Sequence, residues 1–100
     1  MFVVRRHKHN PILGPNSRNS FENYSAFNGN PIEVGKKIHL LYRAQSLPER
    51  FEGGTFSMST IGRAESTDGF AFKNHEQFLY PEHIWERFGL EDPRVTKVGS

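Results

Sequence analysis

The sequence contains no cysteine among its 100 residues. Disulfide bonds and thiolate metal sites are therefore excluded, and the fold does not depend on an oxidising compartment. No apolar run approaches the length of a membrane-spanning helix, and only Phe2, Val3 and Val4 separate the first methionine from a basic cluster at residues 5–9. This is the reverse of the order in a secretory signal. We therefore expect a cytoplasmic protein without a membrane partner.

Long aliphatic runs and helical periodicity are also scarce. The hydrophobic 35% of the chain includes nine Phe, three Tyr and one Trp, and the mean hydropathy is −0.66. Such a composition favours a β-rich domain. The net charge is +2, and the charges are interspersed apart from residues 5–9. We interpret that cluster as a solvated arm and expect no nucleic-acid partner. The histidine spacing predicts no metal site.

Alternating apolar and polar residues predict four successive strands, at residues 24–28, 37–43, 56–65 and 70–74. Residues 45–55 are predicted to form a polar loop, and Asp68-Gly69 to form the turn of a hairpin. A bend or an edge position is expected near Pro31, because proline cannot donate to a central sheet ladder. Residues 75–90 have a mixed pattern with room for one or two helical turns.

Four antiparallel strands within about 40 to 50 residues are typical of one β-propeller blade. We therefore divide the chain into an N-terminal arm and loop (1–23), a first blade with its connecting loop (24–90) and the start of a second blade (91–100). The last residues resemble the first arm of a hairpin, so we expect the chain to be truncated within a longer protein.

The segment "GLEDPRV" presents two acids next to a proline and an arginine. Proline disfavours the helical region for the residue before it, so Asp92 is expected on extended backbone. Adjacent side chains of an extended segment point to opposite faces, which would separate Glu91 from Asp92 and place Arg94 on the side of Asp92. On these residues alone, Asp92 as the cap of a turn is the simpler interpretation.

Five segments taken together, however, resemble a known family. "NPIL", "FNGNPI", "GKKIHLLYRA", "IGRAESTDGFAF" and "GLEDPRVTKV" occur in the order seen in glycoside hydrolase family 130, which comprises mannoside phosphorylases and related β-mannosidases. The resemblance spans nearly the whole chain. It implies an all-β fold, with the chain forming the first blade and the start of the second blade of a five-bladed β-propeller.

The resemblance also implies a site and a reaction. Asp92 would be the general acid of an inverting phosphorolysis of β-mannosides to mannose 1-phosphate, with the proton passing through the 3-hydroxyl of the mannose. The substrate-binding residues would be Asn28, Arg43, Gln45 and Arg94, although some relatives carry an acidic residue where this chain has Gln45. The implied partner is an oligosaccharide or mannoside. Inorganic phosphate would be a co-substrate, and no cofactor is expected.

Two alternatives remain open from the sequence. One is a β-mannoside hydrolase of the same family, because the basic groups that would hold phosphate lie in later blades. The other is a non-catalytic carbohydrate-binding β module. In either enzymatic case we expect the chain by itself to be inactive. The glycosidic linkage, the acceptor sugar and a homo-oligomeric state of the full-length protein are also open.

Overall fold

The computed structural model describes residues 1–99, and these form an all-β fold. Two single turns of 3-10 helix, Ser20–Glu22 and Ile84–Glu86, flank the strands. No helix within residues 1–99 is long and apolar enough to cross a membrane. The strands are β1 (Ser25–Val34), β2 (Lys37–Gln45), β3 (Glu49–Phe51), β4 (Gly54–Phe56), β5 (Ser59–Ser66) and β6 (Lys73–Leu79).

The main sheet has four antiparallel strands in the order β1-β2-β5-β6, as four sequential strands of a blade would. The strands β3 and β4 pair separately as a hairpin between β2 and β5. The prediction of a polar loop at residues 45–55 was therefore wrong. Glu52 and Gly53 both have positive φ, 48° and 82°, which suits a tight two-residue turn. Phe51 packs edge-to-face on Phe56 at 5.1 Å between ring centroids and closes the hairpin.

The main strands also differ in extent from their predictions. Strand β1 continues through Pro31 to Val34, which is possible because β1 lies at the edge of the sheet, as expected for a strand with proline. Strand β6 begins at Lys73 instead of at residue 70. The Asp68-Gly69 turn is wider than a two-residue loop, since Asp68 Oδ1 also accepts from the backbone N–H groups of Phe70 and Ala71. The strand predicted to begin at residue 91 is not formed within residues 91–99.

The core lies on one face of the main sheet, where β2 buries Leu40, Tyr42 and Ala44 at alternate positions. Tyr42 stands opposite Gly62 of β5. A Cβ atom at Gly62 would lie 2.4 Å from Cζ of the Tyr42 ring. Glycine is therefore required at position 62, because the Tyr42 ring lies directly over the β5 backbone.

A buried polar network joins the N-terminal arm to this face. The Tyr42 hydroxyl donates to Oε1 of the fully buried Glu22 at 2.5 Å, and Nδ1 of His75 lies 3.3 Å from the same oxygen. Asn19 Nδ2 donates to Glu22 Oε2 at 2.6 Å. Burial raises the pKa of Tyr42, and the hydrogen bond to Glu22 and its charge raise it further. The network fixes residues 19–22 against β2 and β6, since a buried carboxylate is costly without such partners.

We predict that Gly62→Ala destabilises the fold. The added methyl group must displace the Tyr42 ring, and overpacking of this kind costs about 1 to 3 kcal/mol. Gly14→Ala is the matched control, since a Cβ at Gly14 would meet nothing within 4 Å. Chemical denaturation of both variants checks the prediction, and equal midpoints would contradict the proposed contact between Tyr42 and Gly62.

Candidate active site

A bulge in β1 directs Asn28 toward the candidate site. Phe27 pairs with Arg43 of β2 and Asn30 pairs with Leu41, so two residues of β1, Asn28 and Gly29, stand opposite one residue of β2. Bulges re-aim side chains, and asparagine tolerates the left-handed conformation seen at Asn28, with φ at 53°. Its Nδ2 donates to Oδ1 of Asp92 at 2.7 Å. The bulge thus connects the first strand to the segment that carries the predicted acid.

The segment 89–95 is fastened to the sheet on both sides of Asp92. Before Asp92, the backbone N–H of Leu90 donates to the carbonyl oxygen of Ser59 at 2.8 Å; after it, the N–H of Val95 donates to Oδ1 of Asn30 at 2.7 Å. Gly89 has φ of 116°, and a Cβ there would lie 2.8 Å from the Ser59 carbonyl oxygen. The close approach to β5 therefore requires glycine at position 89.

Arg43 lies at the centre of the site. Its Nη2 donates to Oε1 of Glu91 at 2.9 Å, its Nη1 lies 3.5 Å from Oδ1 of Asp92, and its Nε donates to Oγ of Ser59 at 2.9 Å. The guanidinium also lies 5.1 Å from the centroid of the Phe27 ring, within range of a cation–π interaction. One side chain therefore contacts β1, β5 and the segment that carries Asp92.

The Arg43 guanidinium lies at the mostly buried bottom of the site, and the carboxylates of Glu91 and Asp92 form its open rim. The Arg43 side chain is 18% exposed, whereas the Asp92 side chain is 50% exposed and that of Glu91 is 55% exposed. A guanidinium has five N–H groups, and within residues 1–99 three of them are directed to Ser59, Glu91 and Asp92. The other two can contact the hydroxyl groups of a bound sugar at the rim.

The backbone of Asp92 differs from the sequence-based expectation. Its φ is 46°, in the left-handed region, where extended backbone was predicted from Pro93. Contacts on both sides hold this conformation, and such constraints can outweigh a local preference. As a consequence, Glu91 and Asp92 do not point to opposite faces. Both carboxylates converge on the guanidinium of Arg43.

The charges around Asp92 favour its ionised form. The hydrogen bond from Asn28 lowers the pKa of Asp92, and the positive charges of Arg43 and Arg94 lower it further. A general acid at neutral pH needs a raised pKa, which burial or a neighbouring carboxylate can provide. Within residues 1–99, Asp92 is thus positioned without the burial that acid catalysis requires.

The remaining two predicted site residues have different positions. Arg94 Nη1 donates to the carbonyl oxygen of Pro93 at 2.8 Å, and Arg94 acts on Asp92 through its charge. Gln45 is linked to Arg43 through Ser59, since Gln45 Nε2 donates at 3.3 Å to the same Ser59 Oγ that accepts from Arg43. Its Oε1 accepts from Ser25 at 2.7 Å. The structure therefore brings Asn28, Arg43 and Asp92 together and connects Gln45 to them through Ser59.

Sequence reasoning missed two residues that build the site, Ser59 and Asn30, and placed a third, Glu91, on the wrong side. Ser59 accepts from Arg43 and holds Leu90, Asn30 holds Val95, and Glu91 binds Arg43 on the same side as Asp92. A signal existed for Asn30, since asparagines on both sides of a glycine in a strand are typical of a bulge with local side-chain hydrogen bonds. For Ser59 no pattern in the sequence distinguishes it from the neighbouring serines.

Other concave or titratable features lie outside this site. An open groove of about 820 Å³ lies between the N-terminal arm and the sheet, and its apolar lining includes Leu13, Ile38 and Phe72 but neither Arg43 nor Asp92. The groove is therefore separate from the cluster around Arg43. Among residues 1–99, no group of three His, Asp or Glu side chains is arranged to hold a metal ion.

Comparison with known families identifies the family of the chain. Residues 3–100 match the model of a family described as beta-1,4-mannooligosaccharide phosphorylase, glycoside hydrolase family 130. The chain belongs to this family. The resemblance inferred from the sequence motifs is therefore confirmed.

Two curated relatives come from Thermoanaerobacter sp. (strain X514). One is a beta-1,2-mannobiose phosphorylase, 36% identical over 106 residues that cover 100% of this chain and 35% of the relative. The other is a 1,2-beta-oligomannan phosphorylase, 32% identical over 99 residues that cover 98% of this chain and 33% of the relative. The chain thus spans about a third of the length of these relatives.

A solved structure of the family shares the fold. It comes from work showing that this family of mannoside phosphorylases contains glycoside hydrolases that target beta-1,2 mannosidic linkages in Candida mannan. The TM-score is 0.70 at 28% identity, over 90% of this chain and 29% of the other. The neighbours in the family are five-bladed propellers, so the all-β fold of this chain is one part of that architecture, as predicted.

We predict that Asn28→Gly raises the pKa of Asp92. The change removes the amide that stabilises the ionised carboxylate, and glycine keeps the positive φ of position 28 without strain. Titration of the aspartate carboxyl carbons by NMR measures the shift. Because the pKa of folded Asp92 is lowered, its contribution to stability is present above the ordinary aspartate pKa and is lost as the pH falls through the lowered value. In the variant, the pH range between these two pKa values, over which the contribution of Asp92 to stability is lost, becomes narrower.

The matched control for this prediction is Asn74→Gly. Asn74 also has positive φ, 56°, and its Nδ2 donates to Oε1 of Glu65, whose pKa this hydrogen bond lowers. The control should raise the titration midpoint of Glu65 and leave that of Asp92 in place. An unchanged Asp92 midpoint in Asn28→Gly would show that the contact between Asn28 and Asp92 does not persist in solution.

Proposed function

We propose that the chain is the N-terminal part of an inverting β-mannoside phosphorylase that releases mannose 1-phosphate from β-1,2-linked mannosides. The observation that carries the proposal is the convergence of Asn28 and Arg43 on Asp92, from three separate parts of the sequence. A beta-1,2-mannobiose phosphorylase that is 36% identical supports both the reaction and the linkage.

Each of the three residues has a role that suits its position. Asp92 is the general acid, because its carboxyl group lies at the open rim where a glycosidic oxygen can approach. Arg43 binds sugar hydroxyl groups with the N–H groups that its protein contacts leave available. Asn28 orients the Asp92 carboxyl group through Nδ2 and can accept from a sugar hydroxyl with Oδ1.

Arg94 and Gln45 act less directly in this proposal. Arg94 places a positive charge near the acid and can contact the sugar once substrate is bound. Gln45 shares Ser59 with Arg43 and keeps the guanidinium in place. Arg94 thus keeps the substrate-binding role that the family resemblance implied. Gln45 acts on the substrate only indirectly, by holding Arg43.

The acid needs surroundings that this chain does not provide. A carboxyl group that is half exposed beside an arginine stays ionised at neutral pH. The relatives are about three times as long, and burial of the rim by the rest of such a propeller would raise the pKa of Asp92. The groups that hold phosphate would also lie there. We therefore propose that the chain by itself is inactive.

Hydrolysis is the second candidate. It is favoured by the structural neighbour from work on family hydrolases that target beta-1,2 mannosidic linkages. Phosphorolysis is preferred because the two curated relatives that match nearly the whole chain are phosphorylases. A cytoplasmic location fits phosphorolysis, since an intracellular enzyme retains the activated sugar phosphate that it forms.

We predict that Asp92→Asn lowers turnover at least about 100-fold, the usual contribution of a positioned general acid. The assay uses the full-length protein that carries this chain, with β-1,2-mannobiose or β-1,4-mannobiose as substrate, with and without phosphate. The parent should release mannose 1-phosphate from the β-1,2-linked substrate in the presence of phosphate. Undiminished turnover by Asp92→Asn would refute the assignment of the acid, and release of free mannose without phosphate would establish the hydrolase.

A further inference from the structure

The geometry points to Glu91 as a positioning residue that raises the proton affinity of Asp92 by binding the guanidinium that would otherwise pair with Asp92. This inference rests on the proposed function, in which Asp92 is the general acid. Glu91 was expected on the opposite face from Asp92, where it could have had no such effect. The left-handed backbone at Asp92 instead brings both carboxylates to Arg43.

The two contacts with Arg43 are unequal. Glu91 Oε1 lies 2.9 Å from Nη2 in a charge-assisted hydrogen bond, whereas Asp92 Oδ1 lies 3.5 Å from Nη1, beyond the range of a good hydrogen bond. The closer partner of the cation is therefore Glu91. Asp92 takes its short hydrogen bond from the neutral amide of Asn28, at 2.7 Å.

Glu91 changes the proton affinity of Asp92 in the same direction by two routes. A carboxylate bound to Arg43 offsets the positive charge that favours ionised Asp92, and its own negative charge disfavours a second carboxylate nearby. Both routes raise the proton affinity of Asp92. A carboxylate next to the acid is one of the arrangements by which enzymes keep a carboxylic acid protonated near neutral pH.

The other groups around Asp92 act in the opposite direction or carry no charge. Arg43 of β2 and Arg94 of the same segment are cationic, and Asn28 of β1 donates to the ionised form. Ser59 of β5 contacts Arg43 and is neutral. Apart from Asp92 itself, Glu91 is thus the anionic group that contacts Arg43, among the residues that the structure describes.

Glu91→Gln tests the inference, because the amide keeps the size of the side chain and removes its charge. In the full-length protein, activity that depends on a protonated acid falls as the pH rises through the pKa of that acid. We expect the basic limb of the kcat/KM profile to move to lower pH by about 0.5 to 1 unit, since both carboxylates are partly exposed and screened. At a pH above that limb the loss is about three- to tenfold, and at acidic pH the variant approaches the parent.

Two further variants complete the series. Glu33→Gln makes the same change of charge at the far end of β1, where Glu33 pairs with Ile38, and should leave the profile in place. Glu91→Asp keeps the charge on a side chain that is one methylene shorter, which weakens the contact with Arg43, and should move the basic limb in the same direction by a smaller amount. Should Glu91→Gln fail to fold, the position of the basic limb in Glu91→Asp decides the question.

A purely structural role for Glu91 predicts a different result. It would lower kcat/KM by the same factor at every pH and leave the limb where it is in the parent, and that outcome overturns the inference. The proposed function fails separately, if Asp92→Asn retains turnover or if the parent does not act on mannosides. NMR titration still tests the inference if the proposed function fails. The titration midpoint of the Asp92 carboxyl group should be lower in Glu91→Gln than in the parent or in Glu33→Gln.

Discussion

The site depends on one guanidinium held where three parts of the chain meet. Arg43 reaches Ser59 on the neighbouring strand, the ring of Phe27 on the edge strand, and two carboxylates in the segment after the blade. Its charge is mostly enclosed, so its partners must be supplied by the fold. Because the Arg43 contacts run in three directions, loss of any one strand or segment would leave this cation without part of its environment.

The segment that carries Asp92 is positioned by backbone contacts more than by its own sequence preferences. The N–H groups of Leu90 and Val95 both find acceptors on the sheet, one a backbone carbonyl and the other the side chain of Asn30. These contacts require an edge strand with a bulge and a glycine at position 89. Asp92 is thus attached to the most regular part of the molecule, and a rigid sheet can give precise geometry to an irregular segment.

The half-exposed rim shows what a single blade can and cannot provide. It orients the Asp92 carboxyl group through Asn28 and Arg43, because that task needs only neighbouring strands. It does not bury Asp92, and without such burial the nearby cations favour the ionised carboxylate. The structural neighbours in the family are five-bladed propellers, and residues 1–99 form only one part of that fold.

The sequence by itself determined the family, the all-β class and four strands of the main sheet, because alternation and turn residues act locally. Leu40 and Tyr42 lie at alternate positions of the predicted strand 37–43, the spacing that places side chains on one face, and both are in the core. The hairpin of β3 and β4, the bulge and the left-handed Asp92 were decided by tertiary structure. Each depends on contacts between residues far apart in the chain, which can override the local preference of a residue such as one before proline. For the same reason only the folded structure could show that Glu91 and Asp92 share Arg43.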